Sequence, residues 1–281
     1  MKYIVSGGAG FLGSHLCDEL IKRDNEIICI DNLVTGNKEN IYHLIENKKF
    51  KFVNKNVSEM LDFVSVDGIF HLASPTDPVK CKEKVVETIE ANSTGTLNLL
   101  KYSREKNIPL LFTSSIRVFD YNINGCYADS KRIGEDLCKE FGAKIARMGN
   151  VYGSRMSKDD GRVIPTFIRK ALHNEDITVW GNGSQVDTFC YYTDIIDGLC
   201  KFMFSYFTGV IEFGSVEVIS IFDLADVIVK QCNSHSHILF EEGKMNSDRK
   251  IVDITKAKKL LNWYPQTNIQ NGLVKMIKNY K

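Results

Sequence analysis

The sequence predicts an α/β fold, a doubly wound parallel sheet with helices on both faces, followed by a small C-terminal α/β cap. Three observations carry this reading. Short apolar runs alternate with helical stretches through the first half, a glycine-rich turn Gly7-x-x-Gly10-x-x-Gly13 interrupts the first of them, and the alternation loses its regularity after residue 154.

The strand-like runs are "KYIVS" (2–6), "EIICI" (26–30), "FKFVN" (50–54), "GIFHLA" (68–73), "PLLFTSS" (109–115) and "AKIARM" (143–148). Between them lie segments 11–23, 33–49, 82–106 and 127–141, each with helical periodicity or charge. Strand–helix–strand units of this kind cross over right-handed, which makes the sheet parallel. Ligands of such sheets sit at the carboxyl ends of the strands, where the topology switches. Farther on, "MSKDDGR" reads as a loop, "VIPTFIRKALHN" as a helix and "ITVWGNGSQ" as a strand and turn. "YYTDIIDGLCKFMFS" reads as another helix, with "GVIEFGS" a strand behind it. The predicted division is a nucleotide-binding domain over 1–154, to which 186–214 returns, with the cap formed by 155–185 and 215–281.

Composition excludes several function classes. The chain has 281 residues, 43% hydrophobic and 25% charged, enough for a sizeable core. With 36 basic and 35 acidic residues, no charge excess calls for nucleic acid or an anionic membrane. No run approaches the ~18 apolar residues of a membrane span, so no membrane insertion is expected. The eight cysteines are scattered without a C-x-x-C pair, and neither His235 nor His237 has a cysteine at metal-site spacing. A reducing cytoplasm and no structural metal are expected. Abundant Lys, Asn and Ile suggest an AT-rich bacterial source.

Three glycines alone say little; their context says more. A strand precedes them, an amphipathic helix from Phe11 to Lys22 follows, and Asp31 ends the next strand, 18 residues past Gly13. Backbone amides and a helix N-terminus then face a pyrophosphate, and small residues allow close approach. A carboxylate at Asp31 is placed for ribose hydroxyls and repels a 2′-phosphate, which favours NAD over NADP in a Rossmann-type domain.

Two Y-x-x-x-K pairs occur, and this spacing puts both side chains on one helix face. Tyr102–Lys106 leads into a strand and falls at the wrong end of the sheet. Tyr127–Lys131 follows the strand ending in Ser114–Ser115, which brings a hydroxyl, a phenol and an ammonium together. A nearby Lys⁺ and a cationic nicotinamide lower a phenol from its usual value of about 10, producing a general base for an alcohol proton.

At these residues the chain resembles the extended short-chain dehydrogenases/reductases that act on nucleotide sugars, the epimerase/dehydratase family, and is most similar to the UDP-glucuronate decarboxylase branch. The resemblance covers essentially the whole length: "GGAGFLGSHLCDEL", "DNLVTGNKENI", "FHLASPTDPV", "NSTGTLNLL", "YADSKRIGEDL", "GNVYGSRM", "GNGSQ" and "DRKIVDITKAKKLL". It implies that Gly7, Gly10, Phe11, Leu12, Gly13, Asp31 and Asn32 bind NAD, with Asn56 reading the adenine. Ala73 and Ser74 would line the nicotinamide side, and Asn92 would buttress the cofactor site. Ser115 would hydrogen-bond the substrate hydroxyl, Tyr127 act as base and Lys131 hold the ribose. Asn150 and Arg249 would touch the substrate diphosphate, and the stretch from Val179 through Gly181 to Gly183 would flank the nucleobase. The substrate would be a nucleotide-diphosphate sugar, and the helices at 82–106 and 127–141 would form the face of a homodimer or higher homo-oligomer.

The chain departs from the branch at three places. Where the decarboxylases and 4,6-dehydratases carry an acid, two residues after the catalytic hydroxyl, this chain has Arg117, which cannot serve as a general base. That removes the usual helper for dehydration, harms decarboxylation less, and offers a positive group to an anionic substrate. Asp187 stands where the family has a phosphate-binding arginine, so Arg155, Arg162 or Arg249 would compensate. The stretch "DYNINGC" before Tyr127 is short for the family and suggests a roomier pocket. The expected activity is NAD-dependent oxidation at C4 of a nucleotide sugar. It gives a 4-keto sugar or its 4-epimer for surface polysaccharide biosynthesis, with a GDP-heptose as one candidate. UDP-glucuronate decarboxylation is the alternative, and a non-catalytic NAD-binding regulator is the alternative of another class.

Overall fold

The structure is a computed structural model and describes residues 1–59, 65–120, 125–157, 161–243 and 250–280. Its centre is a seven-stranded sheet, parallel throughout. The strands are β1 (Lys2–Ser6), β2 (Glu26–Asp31), β3 (Phe50–Asn54), β4 (Gly68–His71), β5 (Leu110–Ser115), β6 (Lys144–Met148) and β10 (Gly209–Phe213). Their order, β10-β6-β5-β4-β1-β2-β3, reverses direction at β1 and β4, so the chain crosses from one face to the other there. The strands are continuous apolar runs because both faces are covered. Phe70 and Leu111 pack with one core cluster, Ile69 and Phe112 with the other.

Helices α1 (Phe11–Lys22) and α7 (Tyr192–Met203) pack on one face. On the other face lie α4 (Thr96–Lys106) and α5 (Cys126–Glu140). The predicted helix at 82–106 is segmented into α2 (Pro78–Glu83), α3 (Val85–Glu90), a π-helical turn over Ala91–Gly95, and α4. Asp77 caps α2 and Pro78 opens it, so its start is set by local chemistry. The extra residue of the π turn accompanies the inward placement of Asn92, which is fully buried. The mixed segment 33–49 becomes a single 3-10 helix, Lys38–Leu44, capped by the Asn37 side chain.

His71 shows how polar groups are accommodated inside. Its ring bonds the Ser6 hydroxyl at 2.6 Å and the Thr96 hydroxyl at 3.0 Å, joining β1, β4 and α4. Burial pushes its imidazole down to about 3, so it stays neutral.

The later residues build a second layer at the carboxyl ends of the strands. There, β7 (Asn150–Tyr152), β9 (Val186–Tyr191) and β11 (Val218–Ser220) form a three-stranded sheet. A two-stranded sheet joins β8 (Ile177–Trp180) to β12 (Ile238–Glu241). Helices α6 (Val163–Leu172), α8 (Ile221–Cys232) and α10 (Ile269–Tyr280) close a separate core around Tyr152, Ile168, Leu224 and Leu273. The short α9 (Thr255–Leu261) leads to Trp263, only 1% exposed, whose indole donates to the Asp194 carbonyl at 2.8 Å. Truncating it to alanine would cost about 3–5 kcal/mol.

Candidate active site

One cavity of about 1890 Å³ runs along the carboxyl ends of the central strands and under the second layer. It gathers most of the residues singled out from the sequence, from Gly7 at one end to Trp180 at the other.

The glycine turn forms the first wall. Gly7 has φ +71°, and a side chain at Gly13 would put a Cβ 2.0 Å from the Gly7 carbonyl oxygen. The turn is therefore closed by backbone against backbone, which only glycine allows. Gly10 caps α1 without a side-chain acceptor, leaving the helix N-terminus open to the cavity that Gly10, Phe11, Leu12 and Gly13 line. These residues fit a dinucleotide pyrophosphate: the turn presents bare backbone to the cavity and the helix N-terminus supplies the dipole an anion needs.

Asp31 lies at the end of β2, buried at the cavity wall, where burial raises its carboxyl pKa. Its oxygens accept backbone bonds from Ala9 at 3.0 Å and Leu33 at 2.8 Å. The sequence places it for ribose hydroxyls; in the structure it also staples the glycine turn to the following loop. Each oxygen has a second lone pair for a hydroxyl. Asn32, Asn56, Ala73 and Ser74 line the cavity too. Asn92 does not line it; it sits behind, donating to the Ser74 and Ser130 hydroxyls at 3.0 Å each, so its place is that of a buttress.

At the middle of the cavity Ser115 ends β5 and Tyr127 and Lys131 lie one turn apart on α5. Ser115 hydrogen-bonds the Tyr127 phenol. Lys131, 2% exposed, donates to the Thr113 carbonyl at 2.7 Å, and its ammonium lies 5.9 Å from the Tyr127 ring centre. Burial pulls Lys131 down to about 7. The phenol moves against the sequence expectation: burial pushes it up to about 12, outweighing the Ser115 bond and the positive charges of Arg162 and Arg117. Spacing reports that a cation is close, whereas desolvation of the phenol is decided by everything packed around it. The Tyr102–Lys106 pair lies away from the cavity, with the Lys106 ammonium 5.9 Å from the Tyr102 ring and neither residue lining it.

The far wall differs more from expectation. Arg117 reaches the cavity but is paired with Asp120 at 2.9 Å. Asn150, expected on a diphosphate, turns its amide to Asp187 at 2.6 Å and to the Thr188 carbonyl at 3.1 Å. Asp187, almost fully buried, thus draws away the donor that a phosphate would use. Arg155 and Arg162 both line the cavity, Arg155 while paired with Asp18 at 2.7 Å. Val179 lines it, but Gly181 and Gly183 lie outside, both with positive φ in the turn after β8. Trp180, half exposed and within the expected 179–183 stretch, lines the cavity beside Val179. Arg249 and much of "DYNINGC" fall outside the described residues. All eight cysteines are free thiols, and no group of three metal-ligating side chains occurs among the described residues. Among them, too, no helix is long and apolar enough to cross a membrane.

Comparison with known proteins gives a consistent picture. Residues 3–211 match the NAD dependent epimerase/dehydratase family. The whole chain is 35% identical to UDP-glucuronic acid decarboxylase 1 of Arabidopsis thaliana, covering 70% of that protein. To UDP-glucuronic acid decarboxylase 1 of Danio rerio it is 36% identical, over 99% of this chain and 72% of the relative. Among solved structures, UDP-glucuronic acid 4-epimerase of Bacillus cereus, bound to UDP-glucuronic acid and NAD, is 25% identical with a TM-score of 0.86, covering 99% of this chain and 98% of the other. UDP-glucose 4-epimerase of Thermotoga maritima matches the fold with a TM-score of 0.88 at 23% identity, over 100% and 98% of the two chains.

Proposed function

The chain belongs to the NAD dependent epimerase/dehydratase family, and from that premise we propose that it oxidises the C4 hydroxyl of a nucleotide sugar with Tyr127 as the base. The convergence of Ser115, Tyr127 and Lys131 on one cavity beside the glycine cradle carries this reading. NAD, which Gly7, Gly10, Gly13 and Asp31 would hold, would supply the two-electron acceptor and, in its oxidised form, a cationic ring. Ser115 holds the sugar hydroxyl and Tyr127 takes its proton, while Lys131 orients the ribose. Arg117 and Arg162 already favour the phenolate, and they offset part of the burial that opposes it. Asp31 supports NAD over NADP. Residues 155–185 and 215–281 would hold the nucleotide sugar.

Two outcomes can follow oxidation. Whole-length similarity to UDP-glucuronic acid decarboxylases supports the first, in which a 4-keto uronic acid loses its carboxyl carbon as CO₂. The electron pair of the broken bond enters an enolate, which is protonated at C5 before C4 is reduced again. This route needs no general acid at position 117, and a guanidinium there stabilises an enolate oxygen. Release or opposite-face reduction of the 4-keto sugar is the second outcome, supported by the presence of Arg117 in place of an acid. Dehydration fits least. The test presents UDP-, GDP-, dTDP- and CDP-sugars to the NAD-loaded protein while following NADH absorbance and CO₂. Catalytic release of CO₂ from UDP-glucuronic acid supports the first outcome. NADH accumulation or a 4-epimer without CO₂ supports the second, and no reaction with any sugar overturns the proposal.

A further inference from the structure

The face of α5 that carries Tyr127 and Lys131 continues to Glu135, each four residues beyond the last, so the three side chains stack on one side of the helix. Glu135 is 2% exposed. One of its oxygens accepts from the Ser114 hydroxyl at 2.6 Å and from Arg147 Nε at 2.7 Å; the other accepts from Arg147 Nη2 at 2.6 Å. Ser114 is the backbone neighbour of Ser115. Arg147, on β6, lies over the Phe119 ring at 4.8 Å, and Phe119 closes the short helical turn that carries Arg117. Arg147 also approaches Glu212 of β10 at 3.7 Å, and Glu212 accepts from the Asp253 amide at 2.8 Å. Glu135 does not itself line the cavity, yet it joins the strand end, the helix and the turn that bear the reacting groups.

The groups facing Lys131 are His71 from β4, Cys81 from α2, and Tyr127, Glu135 and Cys138 from α5, with the Thr113 carbonyl and the Phe112 ring from β5. His71 is neutral and the thiols are buried, so Glu135 is the carboxylate among them that favours the ammonium against desolvation. We propose that Glu135 is a positioning residue for the reaction: through Ser114 and Arg147 it locks the helix of Tyr127 and Lys131 to the strand of Ser115. This rests on the reading of Tyr127 as the base.

The test uses Glu135→Gln and the charge-neutral double variant Glu135→Gln/Arg147→Gln, because a buried ion pair is better removed whole than broken. NAD affinity is measured by calorimetry across the neutral range, with kcat and KM beside it. A lysine lowered by burial is charged below its folded midpoint, about 7, and neutral above it. NAD affinity in the native protein should therefore fall as pH rises through that midpoint. In Glu135→Gln, which removes the carboxylate and leaves the guanidinium, the fall should come about one pH unit lower, with kcat reduced about tenfold and sugar KM little changed. Glu135→Asp should restore the midpoint. A Glu135→Gln protein with the native midpoint, or a folded double variant with native kcat, overturns the proposal. Retained turnover in Tyr127→Phe would instead overturn the assignment of the base, leaving the NAD titration unaffected.

Discussion

The two ends of the cavity are built from different materials. At the cradle end the wall is backbone: Gly7 against Ala73 and Gly13 against Gly7, at separations no side chain tolerates. At the opposite end it is side chains drawn from separate elements: Arg117 held by Asp120, Asn150 held by Asp187, and Arg162 at the start of α6. A backbone wall is specified by a few neighbouring residues and admits little variation in the ligand it fits. A side-chain wall can be rewritten by single substitutions, and here pairing between its own members governs what each can offer a substrate.

The contrast can be tested by substitution at each end. The largest effect is expected between the two, at Tyr127→Phe, where loss of the base should lower kcat roughly a thousandfold in steady-state assays while calorimetry finds NAD binding unchanged. Gly13→Val should weaken NAD binding about 100-fold, or ~2.7 kcal/mol, because even its Cβ would lie 2.0 Å from the Gly7 oxygen. Normal NAD affinity in that variant would break the picture of a backbone-closed cradle. Asp31→Asn removes the charge opposed to a 2′-phosphate and should shift the NAD-to-NADP preference about tenfold toward NADP, about 1.4 kcal/mol by paired titrations. The smallest change is expected on the far wall. Asp187→Asn should tighten nucleoside diphosphate binding severalfold, on the order of 1 kcal/mol, by removing a negative charge beside Asn150. Weaker binding would mean that Asp187 recognises a donor on the substrate rather than merely holding Asn150.

Much of the fold was legible in the chain. The six strand-like runs of the first half became β1 to β6, because a strand covered on both faces writes itself as a short continuous apolar run. The cradle was legible for a similar reason: Gly7, Gly10 and Gly13 are local, and their spacing is their geometry. The segmentation of 82–106 was not, since the π turn that brings Asn92 inward to Ser74 and Ser130 answers to partners on other elements. Nor was the turning of the Asn150 amide, which depends on a residue 37 positions away. Within the 179–183 stretch the chain order did not show that Val179 and Trp180 meet the cavity while Gly181 and Gly183 shape the turn outside it.

The sequence by itself determined the parallel sheet, the glycine turn with its acid, and the serine, tyrosine and lysine that belong together, because each is encoded in local spacing and apolar periodicity. Only the tertiary structure decided the electrical state of those residues. Whether a lysine next to a tyrosine lowers its phenol depends on water excluded by neighbours from every surrounding element. Here burial outweighs the cations at Tyr127 and pulls Lys131 toward neutrality. It also revealed Glu135, whose carboxylate reaches Ser114 and Arg147 across α5, β5 and β6. Hydrogen bonds and desolvation act through space, and the order of residues along the chain does not state which of them will meet.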